Sequence, residues 1–129
     1  MRNNREYQIC KDIAIYLRMQ YPKVIFHFDY AGLNLSKAQA GRMKNIQGGR
    51  GWPDLFIAEP KHFVNAHYLG LFLELKAEGT RLCNKSGMPA TPHINEQYNC
   101  LAELRTRGYL AEFAVGFDEA KKEIDYYLR

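Results

Sequence analysis

Gly51-Trp52-Pro53-Asp54-Leu55-Phe56-Ile57 and, after nineteen intervening residues from Asp54, Glu74-Leu75-Lys76 at the end of the run that starts at Tyr68 are the stretches that decide how this chain folds. The run over residues 68–76 is apolar at nearly every position up to Glu74, the pattern of a strand buried on both faces in the middle of a sheet. Side chains alternate along a strand, so Glu74 and Lys76 share one face and Leu75 points the other way, into the core. A glutamate and a lysine there need partners if they are buried. Asp54 opens a shorter apolar strand over residues 55–58. If the two strands pair as a hairpin, Asp54 and Glu74 meet across the ladder. Two carboxylates that close repel unless a cation lies between them. Magnesium takes oxygen ligands, commonly one or two carboxylates with water and a substrate phosphate.

Working outward, residues 4–20 read as an amphipathic helix, with Ile9, Ile13, Tyr16 and Leu17 at three- and four-residue steps and Pro22 as its end. Alternation over 23–29 predicts a strand, and Ala31-Gly32 opens an irregular segment. Ser36 caps a short helix to about Lys44. Three glycines in Gln47-Gly48-Gly49-Arg50-Gly51 predict a flexible loop. Residues 59–67 read as a polar connection and 77–94 as a long loop, the length at which loops tend to be functional. Asn95 is the expected cap of a helix over 96–107 that stops at Gly108 and turns Leu101 and Leu104 inward. A strand over 109–115 follows, then a helix capped by Asp118, with Ala120, Ile124 and Tyr127 or Leu128 inward. The alternation predicts an α/β fold, a central mixed β-sheet flanked by helices, in one domain over 1–129.

Composition agrees with a globule: 47% of residues are hydrophobic and 25% charged. The net charge is +4. Its distribution is more telling than its size. Residues 31–53 hold Lys37, Arg42, Lys44 and Arg50 with no acid, and 79–95 hold Arg81 and Lys85 with none, whereas half of the acids follow Asn95. That suits a polyanionic partner. Three widely spaced cysteines, Cys10, Cys83 and Cys100, give no disulfide framework and no CxxC pair for structural zinc. Cys10 and Cys100 are expected as small core residues. His62, His67 and His93 match no familiar zinc spacing. With neither a leader-like apolar run after Met1 nor a membrane-length segment, the expected location is the cytoplasm. Trp52 is expected as a core plug in preference to a base-stacking side chain.

A metal held by Asp54 and Glu74 would polarise a phosphoryl oxygen and acidify bound water, while Lys76 would orient the attacking water and offset growing negative charge. This is the chemistry of phosphodiester hydrolysis. The pieces Gly51-Trp52-Pro53-Asp54-Leu55-Phe56, Leu73-Glu74-Leu75-Lys76 and Gln97 before a helix ending at Gly108 resemble a stand-alone VRR-NUC domain, a PD-(D/E)xK nuclease family common in phage and related to Holliday-junction resolvases. The resemblance spans nearly the whole chain. It implies a restriction-endonuclease-like core and a DNA endonuclease using Mg2+, with Mn2+ as substitute, acting as a homodimer on branched DNA such as Holliday junctions, in the host-cell cytoplasm if the source is a phage. It further implies that Glu6 lies near the metal, with Asp12 as the lesser substitute. Gln97 is placed near the phosphate or the lysine, and the Leu75 carbonyl completes the metal sphere. The long 77–94 loop and Asn95-Glu96-Gln97 depart from the family's usual small-residue opening of that helix. Arg42, Lys44, Arg50 and Arg81 are expected to contact phosphates. Two other readings compete: a non-catalytic nucleic-acid-binding module with a nuclease-like fold, and a protein-interaction domain using the tyrosine-rich helices.

Overall fold

The computed structural model describes residues 4–29 and 35–129; the irregular segment expected from Ala31-Gly32 lies outside them. Helix α1 (Asn4–Gln20) leads to strand β1 (Phe26–Phe28) and helix α2 (Lys37–Asn45). Strand β2 (Leu55–Ile57), the pair β3 (Lys61–Phe63) and β4 (Ala66–Tyr68), strand β5 (Leu71–Lys76), helix α3 (Pro92–Thr106), strand β6 (Leu110–Val115) and helix α4 (Phe117–Leu128) follow. The main sheet has the order β1-β2-β5-β6, with β5 and β6 parallel and the other neighbours antiparallel. It is the expected mixed sheet flanked by helices.

Alternation along β5 divides the core. Leu71, Leu73 and Leu75 pack with Leu55, Ile57 and Ala114 against Ile13 and Leu17 of α1 and Ala120, Ile124 and Tyr127 of α4. Phe72 faces the opposite way and packs with Ala111, Leu101 and Leu104 beneath α3. The sheet is therefore sandwiched between α1 with α4 on one side and α3 on the other. Phe56 and Phe72 stack across the β2–β5 ladder, with centroids 4.5 Å apart.

Several boundaries differ from the sequence reading, each for a local reason. The first strand is limited to Phe26–Phe28, because its partner β2 is itself only three residues long. Residues 59–67 are not a plain connection: Lys61–Phe63 and Ala66–Tyr68 pair as a hairpin. Its Phe63 and Tyr68 rings sit against the larger core. His62 and His67 face each other in this hairpin, Nδ1 to Nδ1 2.5 Å. Helix α3 begins four residues earlier than expected. Thr91, not Asn95, caps it by accepting from Ile94 N at 3.1 Å, and Pro92 follows where a missing N–H costs nothing. Helix α4 is preceded by Gly116 rather than capped by Asp118, which lies in the first turn, where a negative charge suits the helix dipole. Ser36 does cap α2, in a reciprocal arrangement with Gln39. No helix among the described residues is long and apolar enough to cross a membrane.

Asp125 ties α4 to α1. Its Oδ1 accepts from Tyr16 Oη at 2.5 Å and Tyr21 Oη at 2.6 Å, and its Oδ2 pairs with Lys121 at 3.1 Å. Burial pushes this carboxyl up, but the hydrogen bonds from Tyr16, Tyr21 and Lys121 outweigh it and hold it down at about 2. A carboxyl depressed below its unfolded value of 3.8 stabilises the fold above that pH, and the contribution is lost as pH falls toward 2. Asp125→Asn is expected to lower stability at neutral pH by about 1 kcal/mol after solvent screening. Urea unfolding should show wild type and variant converging as the pH drops through that window.

Candidate active site

Four polar or charged side chains are buried among the described residues: Asp54 (7% exposed), Glu74 (1%), Lys76 (6%) and Gln97 (4%). All four belong to one place. The β2–β5 register pairs Leu55 with Leu73, so Asp54 and Glu74 are the next residues toward the carboxyl end of β5. Glu74 and Lys76 follow Phe72 on the α3 side of the sheet, as strand alternation requires. Lys76 Nζ lies 3.8 Å from Glu74 Oε1. Gln97 Nε2 donates to the same oxygen at 2.5 Å. Asp54 Oδ2 accepts the backbone N–H of Leu75 at 2.7 Å. Antiparallel pairing stops at Leu55, and the Asp54 carboxylate satisfies a strand donor that the ladder no longer reaches.

Gln97 has a geometric cause that a reading of the helix start misses. It sits in the second turn of α3, one of four buried positions with Ile94, Leu101 and Leu104. The steps of three and four residues make these one helical stripe. A glutamine on an otherwise apolar stripe was the available sign that it is buried for its hydrogen bonds. Its Oε1 is buried with no hydrogen-bond partner, which is costly unless something polar meets it.

Gly51 fixes the approach to Asp54. Its φ is +78°, and an added Cβ would lie 2.5 Å from the carbonyl oxygen of Glu96 on α3. Only glycine tolerates both the left-handed backbone and that contact. Trp52, expected in the core, is instead 51% exposed. It packs edge-on against Phe72, with centroids 5.1 Å apart, and leaves much of its surface uncovered.

The remaining expected residues lie around this centre. Glu6 is in the first turn of α1. Its neighbour Arg5 donates to the carbonyl of Glu78, just past β5, at 2.9 Å, so this turn lies beside the carboxyl end of the strand. Arg42, Lys44, Arg50 and Arg81 are all exposed. Arg50 also pairs with Glu96 at 3.6 Å, a contact outside the sequence reading. Among the described residues no three His, Cys, Asp or Glu side chains stand close enough together to hold a metal ion. The donor set nevertheless fits a hard cation: two carboxylates, the Leu75 carbonyl and the unsatisfied Gln97 Oε1 are all oxygens. Magnesium commonly completes such a set with water.

A search of solved structures matches the fold of this chain to that of a protein described as a VRR_NUC domain protein, with a TM-score of 0.68 and 23% identity. The match covers 99% of this chain and 91% of the other. The chain has that fold. No family model matches the sequence, and no curated protein matches it significantly.

Cys100, one turn past Gln97 on α3, reports on the same centre. Burial pushes its thiol up, and the negative charge of Glu74 pushes in the same direction. Glu74→Gln is therefore expected to speed alkylation of Cys100 at neutral pH, since only the thiolate reacts. The exposed Cys83 should keep its rate. Site-resolved mass spectrometry after a timed pulse of iodoacetamide reads both, and an unchanged Cys100 rate would count against Glu74 acting on the thiol.

Proposed function

We propose that this protein is a metal-dependent nuclease that hydrolyses phosphodiester bonds in DNA, with Asp54, Glu74 and Lys76 at its centre. One observation carries the reading: the buried charged residues among those described converge at one end of β5, although charge burial opposes folding unless the groups are mutually satisfied. The VRR_NUC-type fold supports it.

Asp54 and Glu74 would hold Mg2+ or Mn2+, with the Leu75 carbonyl and Glu6 as further donors. When bound, the ion supplies Lewis-acid charge at the phosphoryl oxygen and acidifies water. Gln97 holds Glu74 in position through its amide. The Lys76 ammonium donates to the phosphate oxygen on which negative charge grows and orients the incoming water. Water adds at phosphorus, the bond to the leaving sugar oxygen breaks, and that oxygen takes a proton. Arg42, Lys44, Arg50 and Arg81 contact the phosphates to either side. A pair of symmetric cuts in branched DNA such as a Holliday junction needs two copies of this site, so the full reading is a homodimer acting on junctions.

Lys76→Ala should lower the cleavage rate about 10²–10³-fold, the scale for losing one donor to a developing oxyanion, while leaving DNA affinity close to wild type. The comparison uses a four-way junction and a matched linear duplex with Mg2+, Mn2+ or EDTA. Metal-dependent cutting lost in the variant, with the junction preferred, is the expected pattern. A wild type that binds both and cuts neither under any metal would replace the nuclease by a non-catalytic binding module.

Replacing Arg42, Lys44, Arg50 and Arg81 one at a time with Gln should weaken binding and reduce the slope of log K against log salt by about one for each phosphate that is no longer neutralised. Titrations at several salt concentrations measure this, and slopes that stay at the wild-type value would remove these residues from the interface.

A further inference from the structure

A cleft of about 500 Å³ opens beside the buried carboxylates, lined by Asp29, Gly48, Gly49, Arg50, Trp52 and Cys100 among others. It adjoins the candidate active site through three separate links. Trp52 lies two residues before Asp54. The Asp29 N–H donates to the Asp54 carbonyl at 2.8 Å. Cys100 follows Gln97 by one turn of α3.

The lining combines features that packing does not require. Trp52 packs edge-on to Phe72 and follows the obligatory glycine at position 51, yet half its surface is uncovered. An indole left exposed costs apolar hydration without contributing to the core. Gly48 and Gly49 differ from Gly51: an added Cβ at either would meet no atom within 4 Å. Neither has a positive φ. Nothing in the fold demands glycine there, and the absent side chains leave the loop's backbone open to an occupant. Arg50 reaches into the same space, and Arg42 and Lys44 form the last turn of α2 just before the loop.

The occupant that fits has a flat unsaturated face and a nearby negative charge, which is a nucleotide. In a duplex both faces of each base are covered by stacked neighbours, so only an unpaired base can offer its face to an indole. We propose that this cleft receives an unpaired nucleobase that stacks on Trp52 while its flanking phosphates meet Arg50 and the basic end of α2. DNA with an unpaired nucleotide beside the bond to be cut is thereby selected. The selection of a cutting site rests on the nuclease reading; the binding of the base does not.

Trp52 is the chain's one tryptophan, so its fluorescence reports the cleft directly. Wild-type protein in EDTA is titrated with a single-stranded oligothymidylate and with a duplex of equal length. The single strand should quench the emission strongly and the duplex little. Trp52→Leu should lower single-strand affinity on the order of tenfold and leave duplex affinity unchanged, both measured by anisotropy of labelled DNA. Gly48→Val, which narrows the cleft without touching the Trp52–Phe72 contact, should lower single-strand affinity likewise and guards against a folding defect in the first variant. Equal quenching by both DNAs, or single-strand affinity unmoved by both substitutions, overturns the proposal. Quenching in a protein that cuts under no metal would keep the base site and remove the nuclease. Cutting without quenching would do the reverse.

Discussion

Glu74 sits at 1% exposure in the middle strand of the sheet, and much of the architecture around it can be understood as making that position tolerable. An isolated carboxylate in an apolar interior would take up a proton or unfold the strand. Here Gln97 reaches down from α3 and Lys76 lies one step along the same face. Each of these is buried in its turn and so depends on the others. Removing one leaves an uncompensated group, whereas a fully apolar replacement of the set would be a sounder core. The arrangement therefore makes sense as a site to which something else is added.

That constraint explains why the two faces of the sheet are so unlike. Against α1 and α4 the cluster is the larger one, built mainly of leucines and isoleucines, with its polar contacts confined to the Asp125 network and the Tyr127 hydroxyl. Against α3 the apolar cluster is smaller, and it ends where the carboxylates begin. Phe72 links the two regimes: it stacks on Phe56, supports Trp52 and immediately precedes the strand positions that carry charge. Gly51 locks the approaching loop to the backbone of Glu96, so the loop and the helix bearing Gln97 are positioned together.

Much of this was legible from strand and helix periodicity. The uninterrupted apolar run ending in Glu74-Leu75-Lys76 identified the central strand, and alternation alone placed Glu74 and Lys76 on one face with Leu75 in the core. The extents of α1 and α2 followed from Pro22 and the Ser36 cap. What escaped notice depended on contacts distant in sequence. The β3–β4 pair is too polar to register as strands until Phe63 and Tyr68 find the core. Pro92 falls inside the stretch expected as a loop, although proline is equally suited to open a helix. Trp52 looked like a core residue because its bulk was visible and the neighbouring backbone was not. The cleft is assembled from residues 29, 46–52 and 100, so no continuous motif could announce it. Gln97 was recognised by resemblance, but its reason, a polar group on the apolar stripe of α3, was readable from spacing.

The β3–β4 hairpin lies at the end of the sheet away from the carboxylates, since β2 leaves the site as it runs toward Ile57 and β5 returns to it from Leu71. Phe63 stacks on Tyr126, and the Tyr127 hydroxyl donates to the Glu59 carbonyl at 2.6 Å, so the base of the hairpin is anchored to α4. Its turn at Val64 projects almost fully into solvent. The molecule thus has a handle opposite the end of β5 that carries Glu74 and Lys76. Cargo grafted at that turn, such as a dye, a tether or a second module, would be carried on the side of the sheet away from the buried carboxylates.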